Sequence, residues 1–310
     1  MNRAVLGVLL ALVFVCLESM QFVYFGGLFQ RMSSFLFGFL VFSITVIGFV
    51  GWTALTDPRQ IRAAFENPKP LIGVNLAAAF AFGAYLTSVQ LIEPAVTYTI
   101  SAGAMPITTY VLYRCGLREG EPMRNTMEGL GNALLFCGIV FLAVITVLGQ
   151  SGFVRGGWEV GVAGVLLAIM DGVFFTFVLV FSQRLDRVGV GAGAVLGLRL
   201  PLYIAVAGTF VLFEVDNKAP LGASEIALYV LIGLLLLIPP LYTLQKAISM
   251  ISTLTISALT ALGPFVIFGL QMFEGRVDYA PATLVGLSIY FAGALLAASG
   301  AVKAATQNSA

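Results

Sequence analysis

Runs of about twenty apolar residues follow one another along the chain, separated by short polar breaks. At 1.5 Å per residue, each run can cross roughly 30 Å of hydrocarbon. The pattern predicts ten spanning helices, near 4–27, 33–55, 70–91, 94–114, 127–149, 158–182, 192–214, 225–246, 252–273 and 281–303. The longest polar links, "TDPRQIRAAFENPKP" over 56–70 and "RCGLREGEPMRN" over 114–125, are too short to fold as soluble domains.

Composition agrees with the pattern. The chain is 59% hydrophobic and 10% charged, with a mean hydropathy of +1.00, whereas a soluble domain is about one quarter charged. The expected fold class is therefore an all-α polytopic membrane protein. There is no histidine, which excludes a Ser/His dyad, HExxH metalloprotease chemistry and His-ligated haem. Cys16, Cys115 and Cys137 are widely spaced in apolar surroundings and imply neither a disulfide framework nor a metal site. No cofactor is expected. The first run, "MNRAVLGVLLALVFVC", lacks a small-residue cleavage site and reads as an uncleaved helix.

Basic residues set the expected orientation. With the N-terminus inside, Arg3, Arg59, Arg62, Lys69, Arg114, Arg118, Arg124, Arg184, Arg187, Lys246 and Lys303 fall on the cytoplasmic side, and Arg31, Arg155, Lys218 and Arg276 fall opposite. Both termini are then cytoplasmic.

The chain halves resemble each other. "YTISAGAMPITTYVLYRCGLREGEP" (98–122) parallels "LTISALTALGPFVIFGLQMFEGRVD" (254–278) in its Thr-Ile-Ser triplet, mid-span proline and acidic helix end. A division into 1–150 and 151–310 gives five spans to each half. An odd number inverts the second half in the membrane, the architecture of secondary transporters that bind cargo at mid-membrane between repeats. These ten spans, two repeats and the proline-to-Glu-Gly endings of spans 4 and 9 resemble the drug/metabolite transporter superfamily in its EamA-type branch. Length, absence of histidine and Tyr/Phe-rich first and third spans are most similar to the YddG-type amino-acid exporters. That resemblance implies a helical basket around a central cavity, alternating access, a bacterial inner (plasma) membrane, and export of small neutral or aromatic amino acids.

Two acids stand inside spans. Glu18 in "CLESMQFVYF" and Asp171 in "MDGVFFTFVL" are 153 positions apart, with matching flanks. Each lies roughly 20 Å into its helix, Glu18 toward the outer third and Asp171 toward the inner third of the bilayer. Ionisable groups at such depth are functional or paired. Arg199 in "GAVLGLRLP" lies at about the depth of Asp171, so an Asp171–Arg199 ion pair is expected, with direct ligand contact as the alternative. Glu18 has no cation within reach. Three roles stay open for it: a hydrogen bond to a neighbouring helix, contact with cargo, and proton coupling, since burial favours the neutral carboxyl.

Pro106, Pro239 and Pro264 are the candidate gating or hinge positions. Pro106 and Pro264 free the carbonyls of Ala102 and Thr260, which would suit a cargo ammonium; a simple kink is the alternative. The candidate binding wall is Glu18, Phe22, Asn75, Tyr85, Tyr98, Ser101, Asp171, Phe175, Tyr242 and Ser257. A wall rich in aromatics and poor in charge argues against sugar-nucleotide or phosphate-ester cargo. Small-residue stretches such as "FAGALLAASG" (291–300) fit close helix packing. The expected partners are small-molecule cargo and the lipid bilayer, with no nucleic acid and a monomeric chain. The competing function is export of lipophilic cations by a cation–π cage around Glu18. An intramembrane enzyme is disfavoured because Glu18 and Asp171 sit about 10 Å apart along the membrane normal; a passive channel is not separated from a carrier by sequence.

Overall fold

The computed structural model describes residues 3–117, 122–123, 125–216, 218–248, 250 and 259–307. Twelve helices lie among the described residues. They are α1 (Arg3–Leu28), α2 (Ser34–Thr56), α3 (Pro58–Glu66), α4 (Pro68–Leu91), α5 (Pro94–Arg114), α6 (Thr126–Val147), α7 (Trp158–Asp186), α8 (Ala192–Leu198), α9 (Pro201–Leu212), α10 (Ala223–Ile248), α11 (Gly263–Glu274) and α12 (Pro281–Gln307). Among those residues, eight stretches are long and apolar enough to cross a membrane, in α1, α2, α4, α6, α7, α8 with α9, α10 and α12. Extended structure there amounts to one isolated bridge, Ile92 with Val154. The chain is a multi-pass, all-α membrane protein.

Helix α5 has the length but not the apolarity of those eight, because threonines, tyrosines and a serine interrupt it. Its hydroxyls turn onto its own backbone: Thr99 donates to Ala95 (2.6 Å), Thr108 to Ala104 (2.8 Å) and Thr109 to Met105 (3.0 Å). Where no water reaches, that is how a polar residue stays in a helix.

The prolines act differently from one another. Helix α5 runs through Pro106, and α10 runs through Pro239 and Pro240, whose carbonyls both face the Thr243 hydroxyl, at 3.1 and 3.0 Å. Pro264 instead stands in the first turn of α11, after a turn at Ala261–Leu262. It opens a helix and does not kink one, because the missing N–H is harmless at a helix start. The expected span 192–214 is also two helices. It breaks at Arg199–Leu200 and restarts at Pro201 for the same reason. The predicted loop 56–70 holds α3, which a search for twenty-residue apolar runs passes over. Its Ala64 is buried while Arg62 and Glu66 stay exposed.

The chain divides into two compact units. The first comprises Met1–Gly27, Ser88–Ala168 and Leu235–Ala310, the second Leu28–Thr87 and Ile169–Leu234, so each draws on both sides of residue 150.

In the first unit, α6 and α12 run antiparallel at backbone contact. Glycines recur every seven residues, Gly131 and Gly138 on α6 and Gly286, Gly293 and Gly300 on α12. A Cβ on Gly138 would lie 2.7 Å from the Tyr290 backbone nitrogen, and one on Gly131 would collide with the Ala297 backbone. The glycine side chains are absent so that two helix backbones can meet, the usual way helices associate in lipid. Asn125 locks the end of this seam: its Oδ1 accepts from the Glu128 N–H (2.9 Å) and its Nδ2 donates to the Gly300 carbonyl (2.6 Å).

The second unit packs Val74, Ala77, Ala78 and Ala81 of α4 against Val178 and Leu185 of α7 and Ala194 and Val195 of α8. Gly38 of α2 makes room for the Tyr203 ring, whose Cε1 would sit 2.8 Å from an added Cβ.

Gly138→Leu and Gly293→Leu each force a side chain into the opposing backbone, overpacking that costs about 1–3 kcal/mol or more. The expected outcome is loss of the monodisperse peak in size-exclusion of detergent-solubilised protein. Gly269→Ala, where an added Cβ meets nothing within 4 Å, is expected to leave the peak intact.

Candidate functional site

Glu18 sits on α1 in the first unit, and its neighbour is a tyrosine. The Tyr98 hydroxyl on α5 lies 3.2 Å from Glu18 Oε2 and 3.4 Å from the Thr260 carbonyl oxygen. Thr260 directly precedes the turn at Ala261–Leu262 that leads into α11, where the helical ladder is broken. Beside it, the Ser19 hydroxyl donates to the Gly263 carbonyl at 3.5 Å. Phe22, one turn along α1, meets the Tyr98 ring edge-on at 5.0 Å. Gly263 permits the approach, since an added Cβ would stand 2.9 Å from Tyr98 Cζ. Phe22, Tyr98 and Ser101 are all buried. From sequence Glu18 lacked a partner; Tyr98 corrects that. The hydroxyl brings one proton to two acceptors, a carboxyl oxygen and a backbone carbonyl, in an aromatic setting.

In the second unit, Asn75 and Arg199 meet the break between α8 and α9. Asn75 Nδ2 donates to the carbonyls of Leu198 (2.8 Å) and Leu71 (3.0 Å), and Asn75 Oδ1 accepts from the Leu202 N–H (3.3 Å). One amide thus stands in for the Leu202-to-Leu198 helical bond that the break opens. Asn75, read from sequence as a cargo contact, spends its hydrogen-bonding groups on the backbone.

The expected Asp171–Arg199 pair is not formed. Among the described residues no ion pair reaches Arg199, and its guanidinium lies over the Phe82 ring, 5.7 Å from the centroid. Asp171 is buried on α7. Equal depth in the bilayer does not specify which helix face each residue occupies. Tyr85 is buried on α4, and Phe175 packs on the apolar core while Phe174 stacks on Phe80 at 4.7 Å. Ser257 and the Tyr242 side chain lie outside the described residues.

A third polar cluster, in the first unit, was not anticipated. Glu93 is fully buried in the link between α4 and α5. Its Oε2 accepts from the Gly152 N–H and the Thr283 hydroxyl, both at 2.8 Å, and its Oε1 accepts from the Gln271 amide. Gln271 Oε1 in turn accepts from the Ala95 N–H at 3.3 Å. One carboxyl therefore ties α5, α11, α12 and the loop before α7. The signal was an acid directly before Pro94 in "LIEPAV", hidden in a link of two residues. Arg276 stands near it, held by Glu274 at 3.3 Å and stacked on Phe153 at 4.3 Å. Burial pushes the Glu93 carboxyl above its usual 4.5, against the opposing pull of its three donors and Arg276.

No family model matches the chain, and no curated protein does. A solved structure described as "Crystal structure of protein" is similar in fold, with a TM-score of 0.58 at 18% identity. The match covers 94% of this chain and 96% of that one. It shows a shared fold over nearly the whole length.

Glu93→Ala leaves three buried donors without an acceptor, each a loss of about 1–3 kcal/mol, and is expected to abolish folded protein on size-exclusion. The pH dependence follows from the raised pKa. The folded chain binds this proton more tightly than the unfolded chain, so the penalty for ionising Glu93 is present above the folded pKa and vanishes as pH falls toward 4.5. Glu274, also raised by burial, acts in the same direction. Melting temperature is expected to rise on acidification from neutral pH, with a shallower rise in Glu93→Gln.

Proposed function

We propose that this chain is a secondary transporter that exports small neutral or aromatic amino acids and related metabolites by alternating access. In this reading it has ten spans in two inverted five-helix repeats, sits as a monomer in a bacterial inner membrane with both termini cytoplasmic, and performs no catalysis. The observation that carries the reading is the Tyr98 hydroxyl placed between Glu18 and the Thr260 carbonyl. An ammonium has three donors and a positive charge. A carboxyl oxygen, a backbone carbonyl and two aromatic rings are the groups that recognise it. Backbone broken within the membrane-depth region, as before Pro264, is a common setting for transporter sites. Pro106, Pro239 and Pro264 serve as hinge positions in this account.

The second reading, export of lipophilic cations, draws on the same carboxyl with Phe22 and Tyr98 beside it. Proteoliposome counterflow separates the two. Accumulation of labelled phenylalanine or threonine should be stimulated by the unlabelled amino acid on the opposite side and resist a quaternary ammonium dye. Tyr98→Phe removes one hydrogen bond to a charged group, about 1.5–3 kcal/mol, and is expected to slow exchange at least about tenfold with the folded yield kept. Inhibition by the dye and not by amino acids would favour the cation reading. Absence of counterflow with either cargo would remove both.

A further inference from the structure

In the second unit, no described residue neutralises the buried cation of Arg199. Arg199 is 8% exposed, its Nε is buried without a hydrogen-bond partner, and the nearby Tyr203 hydroxyl, at 2% exposure, is also unpartnered. Among the described residues the guanidinium makes neither a hydrogen bond nor an ion pair. Burying a lone charge is among the more costly acts in folding. An apolar side chain of similar length would fill the same volume.

The surroundings hold the group in place without satisfying it. Asn75 fixes the backbone on both sides, at Leu198 and Leu202, and so sets the direction in which Arg199 leaves the break. Seven residues on, along the same face of α4, Phe82 lies under the guanidinium, and Tyr203 packs against Phe82 and Phe42 at 6.3 and 5.0 Å. An arginine lying on an aromatic face keeps its in-plane N–H groups for a planar, bidentate acceptor. A single buried guanidinium matches a singly charged ligand; a phosphate would call for further cations.

We infer that Arg199 is an anion-binding residue whose ligand is an organic carboxylate, with Asn75 as its positioning residue. The inference does not rest on the cargo class proposed above.

Thermal melts of the purified full-length chain in detergent test it with 3-phenylpropanoate, its neutral isostere 3-phenylpropanamide, and sodium chloride. The carboxylate is expected to raise the wild-type melting temperature at concentrations at least about tenfold below those the amide needs. Arg199→Met should fold, melt no lower than wild type, and lose that preference. Arg199→Lys should keep a reduced one, and Asn75→Leu should weaken it while leaving Arg199 in the chain. Equal response to carboxylate and amide in wild type overturns the inference. So does a preference that survives in Arg199→Met, or chloride that matches the carboxylate at equal concentration. A carboxylate preference without amino-acid counterflow would sustain the inference and sink the transport reading instead.

Discussion

Every polar group inside these helices has to find its partner within the chain, because hydrocarbon offers none. That constraint explains more of the structure than hydrophobicity does. It bends the α5 threonines onto their own carbonyls, sends the Asn75 amide to the break at Pro201, and gathers three donors around Glu93. Apolar residues make the helices, but the polar ones decide where helices stop and which of them meet. Glycine supplies the complementary device along α6 and α12, where the contact is made by backbones.

Against that background two places stand apart. At Tyr98 one proton serves two acceptors, and at Arg199 a buried charge lies on an aromatic ring and, among the described residues, meets no anion. Both lie beside a backbone break that a proline follows, the turn before Pro264 of α11 and the α8–α9 break before Pro201. A chain under pressure only to be stable would have filled these positions with Phe and Leu. Polarity retained inside a membrane is the mark of a site that expects a ligand.

Much of the fold was legible in the sequence, since helix position depends on long apolar runs that any window detects. The role of Pro264 was not: read as a mid-span proline, it stands in the first turn of α11, after a turn that interrupts the helix. Rotation about a helix axis was not legible. Glu18 found a hydroxyl and Arg199 missed Asp171 because depth in the membrane says nothing about facing. Glu93 escaped notice because its partners Gln271 and Thr283 are some 180 positions away. Asn75 looked like a binding residue because its target, an opened backbone, is invisible until the break at Arg199–Leu200 is known.

The central claim is that the carboxyl of Glu18 and the hydroxyl of Tyr98 form the ammonium end of an amino-acid site. Its most direct test is equilibrium binding of labelled phenylalanine to the purified chain, comparing wild type with Glu18→Gln. Glutamine can still accept the Tyr98 hydrogen bond, so the variant should fold. The account predicts that displaceable binding falls at least about tenfold. Binding equal to wild type in a folded Glu18→Gln protein would contradict it.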